Sequence, residues 1–135
     1  MDQRIRQSFG KQGMMQTLGA KVTSIREGQV IITAPIQPLA SQQHGFAHAG
    51  MVFALGDSAA GYSALTVMPE DAEVLTAEMK INLVAPSNGQ RLVATGEVVK
   101  PGRRLVVTRA TVETEYADGT RKVVAILQGT MVPVT

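Results

Sequence analysis

The chain has 135 residues, which suits one domain with a single hydrophobic core, and we expect residues 1–135 to form it. Apolar residues make up 44% and charged residues 18%, which excludes a disordered chain, and a formal net charge of +2 with scattered Lys and Arg does not predict a nucleic-acid partner. Because cysteine is absent, disulfides, thiol nucleophiles and cysteine metal sites are excluded.

The first third of the chain predicts a helix followed by a hairpin. Residues 2–17 have the apolar spacing of a weak amphipathic helix, interrupted by Gly10 and Gly13. No apolar run typical of a secretory signal follows the basic residues near the start, so we expect a cytoplasmic protein. Residues 20–25 and 29–34 flank a glycine-containing turn and predict two antiparallel strands.

The second half of the chain predicts four more strands. They span residues 74–84, 91–100, 103–116 and 122–134, and turns containing Pro or Gly separate them. In the first of these strands, the alternation puts Leu75, Met79 and Ile81 on one face and Thr76 on the opposite face. The last strand is apolar on both faces over residues 123–127, which predicts a central or doubly covered position in the sheet.

The segment between the two halves, residues 46–68, differs from the rest. It is rich in Ala, Leu, Met and Val, Pro69 follows it, and its only charged residue is Asp57. A helix that is apolar nearly all round is buried or spans a membrane, and several glycines in a β-rich chain favour burial. A buried carboxylate is costly unless it is paired or functional, so Asp57 is either a structural residue bonded to its neighbours or a catalytic one.

The start of this helix offers a second chemical feature. Gly45, Ala49 and Gly50 leave the backbone bare there, and the unpaired N–H groups of a helix start can stabilise an oxygen that gains negative charge. Asp57 lies eight residues after Ala49, about 12 Å along the helix axis, so one chain cannot bring both groups to one carbonyl. We therefore expect a homodimer with sites at the subunit interface, where two antiparallel helices meet.

The residues that carry these two features resemble a known family. The run QQHGFAHAG, residues 42–50, followed by Asp57, is similar to the motif of PaaI-like hotdog thioesterases, in which an acidic residue comes seven positions after the last Gly. The run LTAEMKINLVAP, residues 75–86, resembles the next strand of that family. The resemblance covers about residues 18–134.

The resemblance implies an α+β hotdog fold, in which an antiparallel sheet of about six strands wraps a long central helix. It also implies that copies pair through the sheet as a homodimer, or as a homotetramer made of two dimers. Residues 18–134 would form the hotdog core and residues 1–17 an N-terminal helix. The implied activity is the hydrolysis of acyl-CoA thioesters to free acid and CoA, without a metal or another cofactor.

The resemblance also implies roles for individual residues. Asp57 would be the general base or the nucleophile, and the N–H of Ala49, helped by Gly50, would form the oxyanion hole. His48 would orient the thioester or the loop, and Thr76 matches a family Ser/Thr position that holds the attacking water.

Four further residues are candidates for the site. Gln42 stands where the family has Asn. Its side chain can still donate a hydrogen bond, but it is longer than that of Asn and reaches farther. Arg103 and Arg104 lie beside a turn and could hold CoA phosphates, although such charges are more often solvated. Tyr62 could line the acyl pocket or pack in the core.

A metal site and two other functions are the alternatives to hydrolysis of acyl-CoA without a metal. His44 and His48 have the spacing of metal ligands on a helix but lack the Glu of the His-Glu-x-x-His motif, so we expect no metal site. His48 with Asp57 could instead act as a hydratase or dehydratase on acyl thioesters. A non-catalytic acyl-CoA-binding protein with a structural Asp57 is the third alternative, and none of these predicts a membrane partner.

Overall fold

Six antiparallel strands form one sheet around a long helix in the computed structural model, which describes residues 1–135. The helices are α1 (Asp2–Gly10), α2 (Gly13–Thr17) and α3 (Ala49–Leu65), with a short 3-10 turn at Pro38–Ala40. The strands are β1 (Lys21–Arg26), β2 (Gln29–Pro35), β3 (Glu73–Leu83), β4 (Arg91–Lys100), β5 (Val106–Glu115) and β6 (Arg121–Val134). Their order in the sheet is β1-β2-β4-β5-β6-β3. The predicted α+β hotdog fold is confirmed.

Helix α3 is the core of the molecule and contacts β2, β4, β5, β6 and β3. Its small residues let the helix approach the sheet closely: a side chain at Gly96 of β4 would collide with the backbone of Ala59. The helix is shorter than the predicted 46–68, since it begins at Ala49 and ends at Leu65. His48 keeps an extended backbone and caps the first turn, and the helix ends before Pro69 is reached.

A β-bulge changes the face of β3 that points to the helix. The pairing of β3 with β6 shifts between Thr76 and Glu78, which leaves Ala77 as the extra residue. Met79 and Ile81 pack on the core as predicted, but Leu75 is 57% exposed. The predicted common face of Leu75 and Met79 is therefore wrong, because the bulge reverses the alternation between them.

The N-terminal segment folds as two helices that cover one end of α3. The break falls at residues 11–12, between the two glycines that interrupt the sequence pattern. Ile5 and Met15 are buried in the main core. The guanidinium of Arg4 donates hydrogen bonds to four backbone carbonyls at or just after the end of α3. They belong to Leu65 (3.4 Å), Met68 (3.3 Å), Pro69 (2.6 Å) and Ala72 (2.6 Å). The segment is thus fastened to the far end of the central helix.

The last two strands differ from prediction in detail. Strand β5 begins at Val106 and not at residue 103, because residues 103–104 form a bend and residue 105 is irregular. Strand β6 lies between β5 and β3, as its two-sided apolar pattern predicted. Its outward residues Val123 and Ile126 remain 39% and 46% exposed in the single chain. No helix has both the length and the apolar character needed to cross a membrane.

Candidate active site

Asp57 lies half-buried on α3 at the edge of a cavity of about 280 Å³. Its Oδ1 accepts a hydrogen bond of 2.8 Å from the hydroxyl of Thr76, and its Oδ2 has no hydrogen-bond donor within the chain. Burial raises the pKa of the Asp57 carboxyl above its ordinary value, and the Thr76 hydroxyl opposes part of that rise. A carboxylate that is partly desolvated, with one oxygen free at a cavity, is suited to accept a proton or to attack a carbon atom.

The bulge in β3 explains how Thr76 reaches Asp57. Alternation along the strand predicted that Thr76 would lie opposite Met79, on the polar face. The shifted pairing instead places Thr76 opposite the buried Met131 of β6, on the side of the helix. Its hydroxyl lies 3.3 Å from the Met131 sulfur in addition to the Asp57 oxygen. One O–H can donate to only one of them, and the carboxylate is the stronger acceptor.

The start of α3 has one free N–H group. The Nδ1 of His48 accepts a hydrogen bond of 2.7 Å from the N–H of Gly50, so this nitrogen of His48 carries no proton. The N–H groups of Met51 and Val52 donate to the carbonyl of His48. The N–H of Ala49 has no acceptor within the chain, so Ala49, and not Gly50, offers the donor that an oxyanion needs.

The loop before α3 is shaped by Gln42. The Oε1 of Gln42 accepts hydrogen bonds from the backbone N–H groups of His44 (2.6 Å) and Phe46 (3.1 Å). Gly45 has a φ of +82°, which glycine adopts without strain. The NH₂ of Gln42 makes no hydrogen bond within the chain and is therefore free to donate at the cavity that the residue lines.

This loop and the start of α3 border a second cavity, of about 480 Å³. Residues of the loop, of the helix start and of the segment after β3 line it: Gln42, Gln43, His44, Phe46, Ala47, His48, Ala49, Val52, Leu83, Ala85, Pro86 and Ser87. None of them lines the cavity beside Asp57. Within one chain, the free N–H of Ala49 and the carboxylate of Asp57 therefore belong to two separate cavities.

Tyr62 lines the cavity of Asp57, together with two residues that the sequence did not single out. The Tyr62 hydroxyl hydrogen-bonds with Ser8 (3.1 Å) and Gln12 (2.8 Å), and both of these residues line the cavity as well. Ser8 and Gln12 appear in the sequence as ordinary polar positions of an amphipathic helix. No local signal could have identified them, because only the docking of the N-terminal segment brings them to α3.

The two arginine candidates lie away from both cavities. Arg103 and Arg104 are exposed in the bend before β5. Arg103 borders a separate recess of about 470 Å³, whose other wall is formed by residues 67–69 after the end of α3. Nowhere in the structure do three or more His, Asp or Glu side chains come together as a group that could hold a metal ion.

Comparisons with known proteins agree with one another. Residues 44–117, more than half of the chain, match the sequence model of the thioesterase superfamily. A thioesterase family protein from Silicibacter pomeroyi has a crystal structure with a TM-score of 0.96 and 41% identity, covering 98% of this chain and 97% of that one. The structure of the E. coli PaaI protein from the phenylacetic acid degradation operon has a TM-score of 0.85 at 20% identity, covering 98% and 92%, which is a likeness of fold. A protein of Listeria monocytogenes called 1,4-dihydroxy-2-naphthoyl-CoA hydrolase is 24% identical over 119 residues, which are 88% of this chain and 94% of the relative.

Proposed function

The chain belongs to the thioesterase superfamily, and from this premise we propose that it hydrolyses acyl-CoA thioesters to a free acid and CoA. One observation supports this activity above the others: a half-buried carboxylate, Asp57, with a raised pKa and a free oxygen at a cavity. A CoA thioester is supported as the substrate class by the name of the Listeria relative, which is a CoA-thioester hydrolase.

In the proposed reaction, Asp57 generates the attacking group. As a general base, its Oδ2 takes a proton from a water molecule while the water oxygen bonds to the carbonyl carbon. The tetrahedral intermediate then breaks its carbon–sulfur bond, and the thiolate of CoA takes up the proton as the free acid forms. As a nucleophile, Oδ2 itself bonds to the carbonyl carbon, the carbon–sulfur bond breaks and the CoA thiolate leaves. Water then attacks the Asp57 carbonyl of the resulting anhydride and releases the acid, and the thiolate takes up the proton that this water loses. Turnover in ¹⁸O-water distinguishes these routes, because only the second places the label in the Asp57 side chain.

The oxyanion hole in this proposal is the free N–H of Ala49. The positive end of the α3 dipole reinforces it, and the unused NH₂ of Gln42 borders the same cavity as a second donor. His48 holds this arrangement in place by capping the helix through Gly50. The thioester carbonyl would thus bind at the helix start while Asp57 approaches from the other side.

A complete site in this proposal needs two subunits. Ala49 and Asp57 of one chain lie about 12 Å apart along the helix axis, too far to act on one carbon atom. Strand β3 is an unpaired sheet edge, and its Leu75 and Leu83 are 57% and 54% exposed. We propose that two copies pair there with antiparallel helices, as a dimer or a dimer of dimers, so that each Asp57 meets the partner's helix start.

A panel of acyl-CoAs with a thiol reagent tests the activity. We expect thiol release by the parent protein and a loss of at least about a hundredfold in the Asp57→Asn variant, since a general base contributes that much. Asp71→Asn is the matched control, because Asp71 is an exposed carboxylate that lines neither of the two cavities.

Three outcomes would contradict the proposal. Equal turnover by the parent and the Asp57→Asn variant would remove Asp57 from the reaction. Binding of acyl-CoA without thiol release would identify a binding protein. A change in enoyl absorbance without thiol release would identify a hydratase.

A further inference from the structure

Tyr62 forms part of the wall of the cavity beside Asp57. The two residues are five positions apart on α3, which is about 7.5 Å along the helix axis. Between them, Gly61 lies one turn after Asp57 on the same side of the helix and presents no side chain to the cavity it lines. At Gly61 no side chain fills the cavity, and the Tyr62 ring borders it.

The N-terminal segment holds the Tyr62 ring in position. Ser8 of α1 and Gln12, which follows α1, hydrogen-bond its hydroxyl at 3.1 Å and 2.8 Å. The Phe9 ring packs against the Tyr62 ring with centroids 6.1 Å apart. Tyr62 itself is only 4% exposed. The cavity wall at Tyr62 is thus a buried side chain fixed by several contacts.

The sizes of the two parts of an acyl-CoA decide which part enters this cavity. The CoA part is far larger than a cavity of about 280 Å³, a volume at or just below the lower end of small-molecule pockets. CoA must therefore extend away from it, and the acyl group is the part that occupies the space between Asp57 and Tyr62. A longer acyl chain would have to displace the ring and break both of its hydrogen bonds.

We propose that Tyr62, positioned by Ser8 and Gln12, limits the length of the acyl group, so that the enzyme acts on short acyl chains. This inference rests on the proposed hydrolysis of acyl-CoA. Tyr62 is the specificity-determining residue, and Ser8 and Gln12 are positioning residues that act through it. The N-terminal segment is thereby part of the substrate pocket.

The test measures kcat and KM separately for butanoyl-, hexanoyl-, octanoyl- and decanoyl-CoA. The parent protein should favour the short chains. In Tyr62→Leu the ratio of kcat/KM for octanoyl- over butanoyl-CoA should rise by about tenfold or more, since each methylene admitted to a pocket is worth at least about that factor. The rise should come from a lower KM for the longer chains, which a merely structural role would not produce.

Two further variants keep the test sound if Tyr62→Leu folds poorly. Ser8→Ala with Gln12→Ala frees the ring without changing it, and the ratio should rise in the same direction. Gly61→Ala should lower the ratio, because the added methyl group narrows the cavity. That methyl group meets nothing closer than Met131 at 3.9 Å, so the variant should fold.

Tyr116→Leu is the control, since Tyr116 is the other tyrosine and its hydroxyl donates to Asn88 away from both cavities. Its ratio should equal that of the parent. An active parent whose ratio stays constant in the Tyr62, Ser8/Gln12 and Gly61 variants would overturn this inference and leave the hydrolase standing. A parent that releases no thiol from any acyl-CoA would overturn the proposed function, and this inference with it.

Discussion

The carboxylate of Asp57 lies on a helix that carries no other charged residue, half-buried and hydrogen-bonded by a single hydroxyl. Burial raises its pKa because desolvation disfavours the ionised form. The folded protein therefore binds a proton at Asp57 more readily than the unfolded chain does. The stability this gives is fully present below the ordinary pKa of an aspartate and is lost as the pH rises through the raised pKa. At neutral pH the ionised, reactive form of Asp57 is held at a cost in stability.

The pH dependence of thioester hydrolysis should show this balance. Because the reactive form is ionised, activity should fall on the acid side at a pH above the ordinary aspartate range. Thr76→Val removes the one hydrogen bond that lowers the Asp57 pKa, so the acid limb of kcat/KM should move to higher pH.

Profiles of kcat/KM against pH for the parent, Thr76→Val and Thr76→Ser check this prediction. Thr76→Ser keeps the hydroxyl and should keep the limb near that of the parent. A limb that stays in place in Thr76→Val, or that moves to lower pH, would contradict the assignment of this limb to Asp57.

At the scale of the secondary-structure elements, local patterns predicted which segments form the helix and the strands. They did not predict the irregular pairing of β3 with β6. The run of small and apolar residues in α3 and the alternation in the strands carry their own signal, so the helix and six strands could be predicted from sequence. The bulge at Ala77 could not be predicted from sequence. Leu75 is apolar like Met79, so the strand has the sequence of one unbroken alternation although the two side chains lie on opposite faces. The same limit applied to the site: Asp57 and Ala49 carry local signals, whereas the engagement of the Gly50 N–H by His48 does not.

The docking of α1 on the end of α3 is the clearest case of a contact without a local signal. Arg4 donates to carbonyls more than sixty residues away, including that of Leu65 in the last turn of α3. A cation there also complements the negative end of the helix dipole. These bonds join the N-terminal segment to the last residue of the central helix and to the turn that follows it.

Removing this cation should destabilise the fold. For Arg4→Ala we expect a loss of about 2 kcal/mol in the free energy of unfolding, the scale of hydrogen bonds from a charged donor. Arg6→Ala is the control, because both contacts of Arg6 are exposed: an ion pair with Asp2, worth about 0–1 kcal/mol, and one hydrogen bond of 3.3 Å to the carbonyl of Val22. Urea denaturation at one protein concentration measures both variants. Equal losses in the two variants would show that the four carbonyl contacts do not fasten the segment.

At the scale of the whole molecule, one chain carries the two parts of the proposed site in two separate cavities, with Ala49 in one and Asp57 in the other. Closure of the site by a partner predicts that two inactive variants restore each other. The two variants are Asp57→Asn and Ala49→Pro. Ala49→Pro should not disturb the fold, because Ala49 is the first helical residue, where proline is well tolerated. The backbone of His48 before it has φ −64° and ψ 143°, which also suits a following proline. Ala49→Pro therefore removes the free N–H and little else.

Each variant alone should be nearly inactive. Ala49→Pro should lose about a hundredfold or more in kcat, the effect of removing one oxyanion donor, while Ala49→Gly, which keeps the N–H, should stay active. When Asp57→Asn and Ala49→Pro chains are unfolded together and refolded, half of the dimers are mixed. Each mixed dimer contains one site with an intact Asp57 from one chain and an intact Ala49 from the other. Activity should then return to about a quarter of that of the parent.

Refolding each variant by itself is the control and should recover no activity. If each chain contained a complete site of its own, every chain in the mixture would carry one defect, and mixing would restore nothing. Recovery to about a quarter would therefore follow only from sites shared across the two-fold axis.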